Sequence, residues 1–188
     1  DPTTCAGDPY FFMIFFHQFV ISYYMLKNYF FLLHMSKKKY LSLSFILLIT
    51  FTASAIGGFT TRTFKEPWYS EIILPSFNPP SWVFAPVWTT LYIMMSIAIW
   101  KIWITSFDSK VLKLYYIHLF FNATWSIFFF GFHQIGLALI NLIIILGFIV
   151  ALMKVYFVKN KSSYYIMIPY LLWSSYAFIL NTSIFILN

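Results

Sequence analysis

Apolar residues along this chain fall into long runs separated by short polar breaks. Five runs, at about residues 40–59, 81–105, 112–132, 135–157 and 164–187, are each close to 20 residues long or longer. A helix of about 20 apolar residues covers the ~30 Å hydrocarbon core of a bilayer. The breaks Phe107-Asp108-Ser109-Lys110, His133-Gln134 and Lys159-Asn160-Lys161-Ser162-Ser163 leave room only for antiparallel neighbours. The pattern therefore predicts an all-α fold, an up-and-down transmembrane bundle of five helices. The two-residue alternation of a membrane barrel strand, sustained over about 10 residues, is missing.

One connection is long, at about residues 60–80, and carries Arg62, Lys65, Glu66, Trp68, Tyr69 and Glu71 before Pro75, Pro79 and Pro80. Pro80 stands just ahead of the second helix, where a missing N–H costs little. A loop of this length in a compact bundle is commonly functional, often a lid. An interfacial belt is the alternative, because Trp and Tyr favour headgroup depth in any case. Residues 1–34 lack the basic start of a secretory signal. Met35-Ser36-Lys37-Lys38-Lys39 ahead of an apolar run looks like a natural start, so translation is expected to begin at Met35. A sixth helix at about residues 10–33, interrupted by His17, Gln18, Lys27 and Asn28, is the competing reading.

Composition sharpens this picture. The 188 residues are 61% hydrophobic, 24% aromatic and 9% charged, whereas soluble domains carry about 25% charged residues. A soluble enzyme, a nucleic-acid binder and a disordered chain are excluded together. The net charge of +7 is not a phosphate-binding surface, because the basic residues sit at the ends of apolar runs. Lys37, Lys38, Lys39, Lys101, Lys110, Lys113, Lys154, Lys159 and Lys161 share the N-terminal side, against Arg62 and Lys65 opposite. By the positive-inside rule the N-terminus is cytoplasmic, with the long loop and the C-terminus outside. A single cysteine, Cys5, excludes an internal disulfide, and no Cys/His spacing fits a metal site. The acidic residues after Met35, namely Glu66, Glu71 and Asp108, all lie outside the spans. A proton relay through paired carboxylates is thereby disfavoured, and no glycine-rich phosphate loop is present.

Helical spacing groups Trp88, Tyr92, Met95 and Ile99 on the second helix, His118, Asn122, Trp125 and Phe129 on the third, and Trp173, Ala177, Leu180 and Asn181 on the fifth. At 1.5 Å per residue, Trp88 and Trp125 lie roughly 10 Å below the outer ends of their helices and Trp173 near mid-membrane. Buried indoles and amides need partners. One reading is an aromatic pocket in the outer half, capped by the long loop. The other is a packed core in which tryptophans fill space and asparagines tie helices together. His118 is either a haem ligand or a hydrogen-bonded bridge between helices. His133 is expected to be solvated in its turn. Gly57 and Gly58 are expected to let helices approach closely. Pro169 either kinks the fifth helix near Trp173 or sits in its first turns.

Pro75, Phe77, Asn78, Pro79, Pro80, Trp82, Pro86, Trp88 and Tyr92, then Phe121-Asn122-Ala123-Thr124-Trp125 with Phe129-Phe130-Gly131, then Ile168-Pro169-Tyr170-Leu171-Leu172-Trp173 with Ala177 and Leu180-Asn181, form three separate motifs in order. Together they resemble the translocator protein family, also called tryptophan-rich sensory proteins or peripheral benzodiazepine receptors, from Met35 to Asn188. The resemblance implies a five-helix bundle, usually a homodimer in a bacterial-type membrane, whose outer cavity takes porphyrins, haem, sterols and benzodiazepine-type ligands without a required cofactor or metal. Carried over by motif, Trp88, Tyr92, Asn122, Trp125, Trp173, Ala177 and Leu180 are the ligand-binding residues, and His118, on the face of Asn122, joins them as a position for a ligand-specific contact. Trp68, Phe77, Pro79 and Pro80 belong to the lid. The partners so implied are a tetrapyrrole or other apolar small molecule and membrane lipid, with no nucleic acid.

Three departures stand out. Phe77 replaces the usual Trp, and His118 stands where Gln is expected. The tail after Leu180 holds no Tyr followed by Lys or Arg, so the sterol motif is missing. The function implied is a tetrapyrrole receptor, sensor or transporter. The alternatives are a light- and oxygen-dependent porphyrin-degrading enzyme, with Trp88 and Trp173 as the reactive indoles, and a structural assembly protein with a lipid-filled cavity.

Overall fold

A computed structural model describes residues 38–188, of which Ser42–Asn188 form one compact unit. The proposed start at Met35 and the alternative sixth helix lie outside the described residues. The described chain is helical, and none of it is strand. Its elements are α1 (Lys38–Phe64), α2 (Trp68–Glu71), α3 (Ser81–Thr105), α4 (Ser109–Ser126, continued by a π-helical turn Ile127–Gly131), α5 (Ile135–Lys159) and α6 (Lys161–Leu187). Four of these, α1, α3, α5 and α6, are long and apolar enough to cross a membrane. The helix α4 is not among them, because Lys110, Lys113, His118 and Asn122 interrupt its apolar character.

The bounds follow local chemistry. Pro80 precedes α3 with extended backbone, so that helix starts where the pattern placed it. Asp108 caps α4 by accepting the Lys110 N–H at 2.9 Å, the arrangement that satisfies an otherwise orphaned donor. The Lys159 ammonium lies 3.1 Å from the same carboxylate. Its hydrogen bond, followed by that of the Lys110 N–H, holds Asp108 below the ordinary carboxylate pKa. The expected five-residue break at 159–163 shrinks to Asn160, which is extended and accepts the Ser163 N–H at 3.1 Å. Likewise α1 runs to Phe64 rather than 59, and one turn of the long connection is helical.

The last turn of α4 is a correction of a different kind. Where a plain α-helix to Phe132 was expected, Phe132 N–H reaches back to Ile127 O at 2.8 Å, five residues away. Wide turns of this sort add a residue per turn and recur at functional positions. Here Phe129 and Phe130, adjacent in sequence, are both buried.

Among the described helices from α3 onward, α5 packs most extensively on α6, with α4 against α5 and α3 against α6. Met95, Ile99, Tyr115, Ile149, Leu152, Tyr156, Met167 and Tyr170 fill the centre with almost no exposure. The expected faces of α3 and α4 both point inward. On α6 the buried residues are Ser163, Met167, Tyr170, Ser174, Leu180, Asn181 and Ile184, so Leu180 and Asn181 of the expected face are buried while Trp173 and Ala177 stand at its edge, half-buried. Pro169 is the ninth residue of α6, beyond its first turn, and the helix is continuous through it.

Gly57 meets α4 as expected of a packing glycine: a Cβ there would lie 3.1 Å from Ser126 Oγ, whereas one on Gly58 meets nothing within 4 Å. Overpacking typically costs about 1–3 kcal/mol. Gly57→Leu is therefore expected to lower the unfolding midpoint in detergent clearly, and Gly58→Leu to leave it nearly unchanged. Equal midpoints for the two variants would refute the α1–α4 contact.

Candidate functional site

The long connection is seated on the helix ends. Trp68 of α2 stacks on His133 with ring centres 4.5 Å apart and an 18° tilt, and meets Phe129 edge-on at 5.4 Å. Tyr69 lies against Phe129 and Phe130, at 6.4 and 5.7 Å. The π turn explains how one short helix reaches two consecutive phenylalanines. Farther along, Tyr176 of α6 donates its hydroxyl to Phe77 O at 2.7 Å. Asn188 clasps Ile73 through both backbone groups, accepting its N–H at 2.9 Å and donating to its O at 3.0 Å. Tyr69 also donates to Asn78 Oδ1 at 3.3 Å. Burial pushes the Tyr69 phenol up from its ordinary value.

His133 is therefore more than a solvated turn residue. Its φ of 55° lies in the left-handed region, unusual for a non-glycine side chain. Its ring is held between Trp68 and the end of α1, with Nε2 3.2 Å from Phe64 O. His133→Ala removes the stack and that bond. The variant is expected to raise amide exchange over residues 65–78 several-fold while leaving α5 protected. Unchanged exchange in the connection would show that the imidazole holds nothing.

Beneath the connection lies an aromatic layer. Trp125 stacks on Phe129 at 5.0 Å and 17°. Its indole donates to Asn181 Oδ1 at 3.2 Å, and Asn181 Nδ2 donates in turn to Ile135 O at 3.2 Å. Leu180 is buried with Phe129, Phe130, Ala138 and Ile184. Trp173 meets Phe84 of α3 edge-on at 6.1 Å, and its indole nitrogen is removed from solvent without a protein acceptor. A groove of about 570 Å³ runs between α3 and α6, walled by Pro86, Leu91, Met94, Leu172, Trp173 and Tyr176.

One layer deeper the polar side chains converge. Tyr92 donates to Asn122 Oδ1 at 2.5 Å, Asn122 Nδ2 donates to Tyr170 Oη at 2.9 Å, and Tyr170 Oη is 2.7 Å from His118 Nε2. His118 and Tyr170 are fully buried. Trp88 covers this network, 5.8 Å from the Tyr92 ring and 6.3 Å from Tyr170. His118 is thus a bridge between α4 and α6, and both ends of the Asn122 amide are engaged by tyrosines. Among the described residues no group of His, Cys, Asp and Glu is arranged to hold a metal ion.

In this apolar helical chain an aromatic layer under the long connection thus lies over a buried Tyr–Asn–Tyr–His network. The TspO/MBR family matches residues 45–187, well over half of the chain. The chain belongs to that family. It is 36% identical over 134 residues to a tryptophan-rich protein TspO of Archaeoglobus fulgidus, covering 70% of this chain and 87% of that protein. A tryptophan-rich sensory protein of Cereibacter sphaeroides is 31% identical over 150 residues, 79% of this chain and 95% of its own. The translocator protein of Homo sapiens is 32% identical over 138 residues, 69% and 82% respectively. As a TspO/MBR protein with four helices fit to cross a bilayer, it is a multi-pass integral membrane protein.

In this TspO/MBR protein the expected site residues separate into three groups. Tyr92, His118 and Asn122 share one network, with Trp88 laid over it. Trp173 walls the α3–α6 groove, with Ala177 one turn along, while Trp125 and Leu180 belong to the layer under the lid. Pro79 and Pro80 lead into α3, and Phe77 packs on Tyr176 at 6.4 Å. Tyr170, Tyr176, Phe84 and Asn188 escaped the sequence reading, and His133 was expected only to be solvated in its turn. Tyr170 lay inside a quoted motif. For Asn188, a C-terminal polar residue 115 positions from its partner, no sequence signal exists.

Proposed function

We propose that this protein is a membrane receptor for flat, largely apolar tetrapyrroles, with porphyrin or haem as ligand. The observation that carries the reading is Trp173, an indole N–H withdrawn from water without a protein acceptor beside an apolar groove of about 570 Å³. Ligand sites have this makeup, mostly hydrophobic and aromatic walls with a few placed polar groups, at volumes of about 300–1,000 Å³. Phe84 adds ring surface beside Trp173, and Tyr176, which donates to Phe77 O, ties the groove wall to the long connection. Family membership supports the reading. Asn122 takes a positioning part in it, because both ends of its amide already serve the two tyrosines.

Within this proposal α4 crosses the bilayer as a fifth span. Its polar side chains Asn122 and His118 face the bundle interior, where hydrogen bonds satisfy them. The lysine-rich helix ends lie in the cytoplasm and the lid outside. Titrating the detergent-purified full chain with protoporphyrin, read by tryptophan quenching, is expected to saturate at micromolar ligand. Absence of saturable quenching by any tetrapyrrole would end the proposal. Loss of the Soret band under illumination, beyond bleaching of free porphyrin, would instead favour the degrading enzyme.

A further inference from the structure

The end of the bundle away from the lid carries an unbalanced positive charge. Among the residues of the compact unit Ser42–Asn188, Lys101, Lys110, Lys113, Lys154, Lys159 and Lys161 stand there against a single carboxylate, Asp108, which is already paired with Lys159 at 3.1 Å. At the lid end Arg62 and Lys65 are matched by Glu66 and Glu71. Two of the lysines occupy unfavourable places. Lys154 lies roughly 8 Å inside the end of α5, at 1.5 Å per residue, within an apolar span. Lys161 opens α6, whose first turn holds no acidic residue, although the positive pole of a helix disfavours a cation there.

Lys154 walls a groove of about 440 Å³ between α5 and α6, together with Val150, Met153, Phe157, Tyr164 and Leu171, and Lys161 meets one of those walls, Phe157. Phe157 and Tyr164 meet edge-on at 5.3 Å, and the Lys161 ammonium sits 5.7 Å from the centre of the Phe157 ring. We propose that this groove binds an anionic two-chain phospholipid, its phosphodiester held by Lys154 and Lys161 and an acyl chain laid along Val150, Met153 and Leu171.

Three properties select that occupant. A lysine within a span needs its stem on apolar surface and its ammonium near water or an anion. An anion between Lys154 and Lys161 offsets both that cost and the unfavourable charge at the start of α6. The groove continues inward from the cations as an apolar wall, which serves an acyl chain and offers nothing to a free phosphate ion. Basic pockets between membrane helices bind phosphate-bearing headgroups on the same grounds. This site lies on other residues than the lid-end groove and does not depend on what that groove binds.

Native mass spectrometry of the detergent-purified full chain tests the proposal, using phosphatidylglycerol and phosphatidylcholine with identical acyl chains. Phosphatidylglycerol is expected to be retained about tenfold better, a difference of about 1.4 kcal/mol. The Lys154→Gln/Lys161→Gln variant is expected to lose that preference. Lys154→Arg is expected to keep it, and so is Lys110→Gln/Lys113→Gln, which removes the same charge at the same end but outside the groove. Circular dichroism verifies that each variant is folded, and Val150→Trp fills the groove without touching charge and is expected to lower retention as well. Equal retention of the two lipids overturns the proposal. So does an equal loss in the Lys110/Lys113 control, which would mean diffuse surface charge. Displacement of the lipid by millimolar inorganic phosphate would mean a small-anion site and would likewise overturn it.

Discussion

Replacing Tyr170 is expected to damage stability more than any other single change in this protein: about 3–5 kcal/mol for Tyr170→Leu, the range of large buried truncations, and about 1–2 kcal/mol for Tyr170→Phe. The two numbers separate volume from hydrogen bonding. The ring is fully buried at the centre of the bundle and touches Trp88 and His118, so its loss leaves a void that packed helices only partly close. The hydroxyl alone serves two partners, Asn122 Nδ2 and His118 Nε2. Hydrogen bonds between membrane helices average about 0.6 kcal/mol, with a maximum near 1.7. Tyr170→Phe belongs at the top of that range because it deprives His118 of its Nε2 partner when Nδ1 already has none. Denaturant or thermal unfolding in detergent measures both effects. A cycle with His118→Leu isolates the bond: the double variant is expected to lose less than the sum of the singles. If Tyr170→Phe unfolds at the midpoint of the unaltered protein, the network ties nothing together.

The second large effect concerns ligand affinity. Trp173→Phe and Trp88→Phe are each expected to weaken protoporphyrin binding about tenfold, equivalent to about 1.4 kcal/mol, with little change in stability because both side chains are only half-buried. The causes differ. At Trp173 the change removes ring surface that walls the groove together with an N–H that has no acceptor in the protein. At Trp88 it removes ring area over Tyr92 and Tyr170. Fluorescence titrations of both variants, with Trp82→Phe as an exposed control, give the comparison. Superimposable curves for all three would remove the assigned site while leaving the stability network intact.

Some parts of this architecture were legible in the residue pattern because one physical term dominates them. A run of apolar residues bounded by charge has few stable fates near a bilayer. The helix from Ser81 to Thr105 therefore begins and ends where the pattern placed it, and α5 and α6 differ only at their ends, where Lys159 and Lys161 continue helices that capping by Asn160 makes possible. Three-, four- and seven-residue spacing likewise placed Tyr92, Met95 and Ile99 on an inward face, since burial follows helical period in any packed bundle.

What the pattern alone determined, then, is the helical character, the membrane solvent, the inward faces of α3 and α4, and the family motifs with their residues. The tertiary structure decided the rest, because each remaining feature depends on groups far apart in the chain. Asn122 resolved into a tie between Tyr92 and Tyr170 only once α3, α4 and α6 met. His133 became a prop under Trp68, and Asn188 a clasp on Ile73, through contacts 65 and 115 residues apart. The π turn at Ile127–Gly131 formed where it lets Phe129 and Phe130 both meet the lid. A single helix has no way to encode such choices: hydrogen bonds and ring contacts between elements are fixed by which neighbours arrive, and the apolar pattern specifies only that some neighbour must.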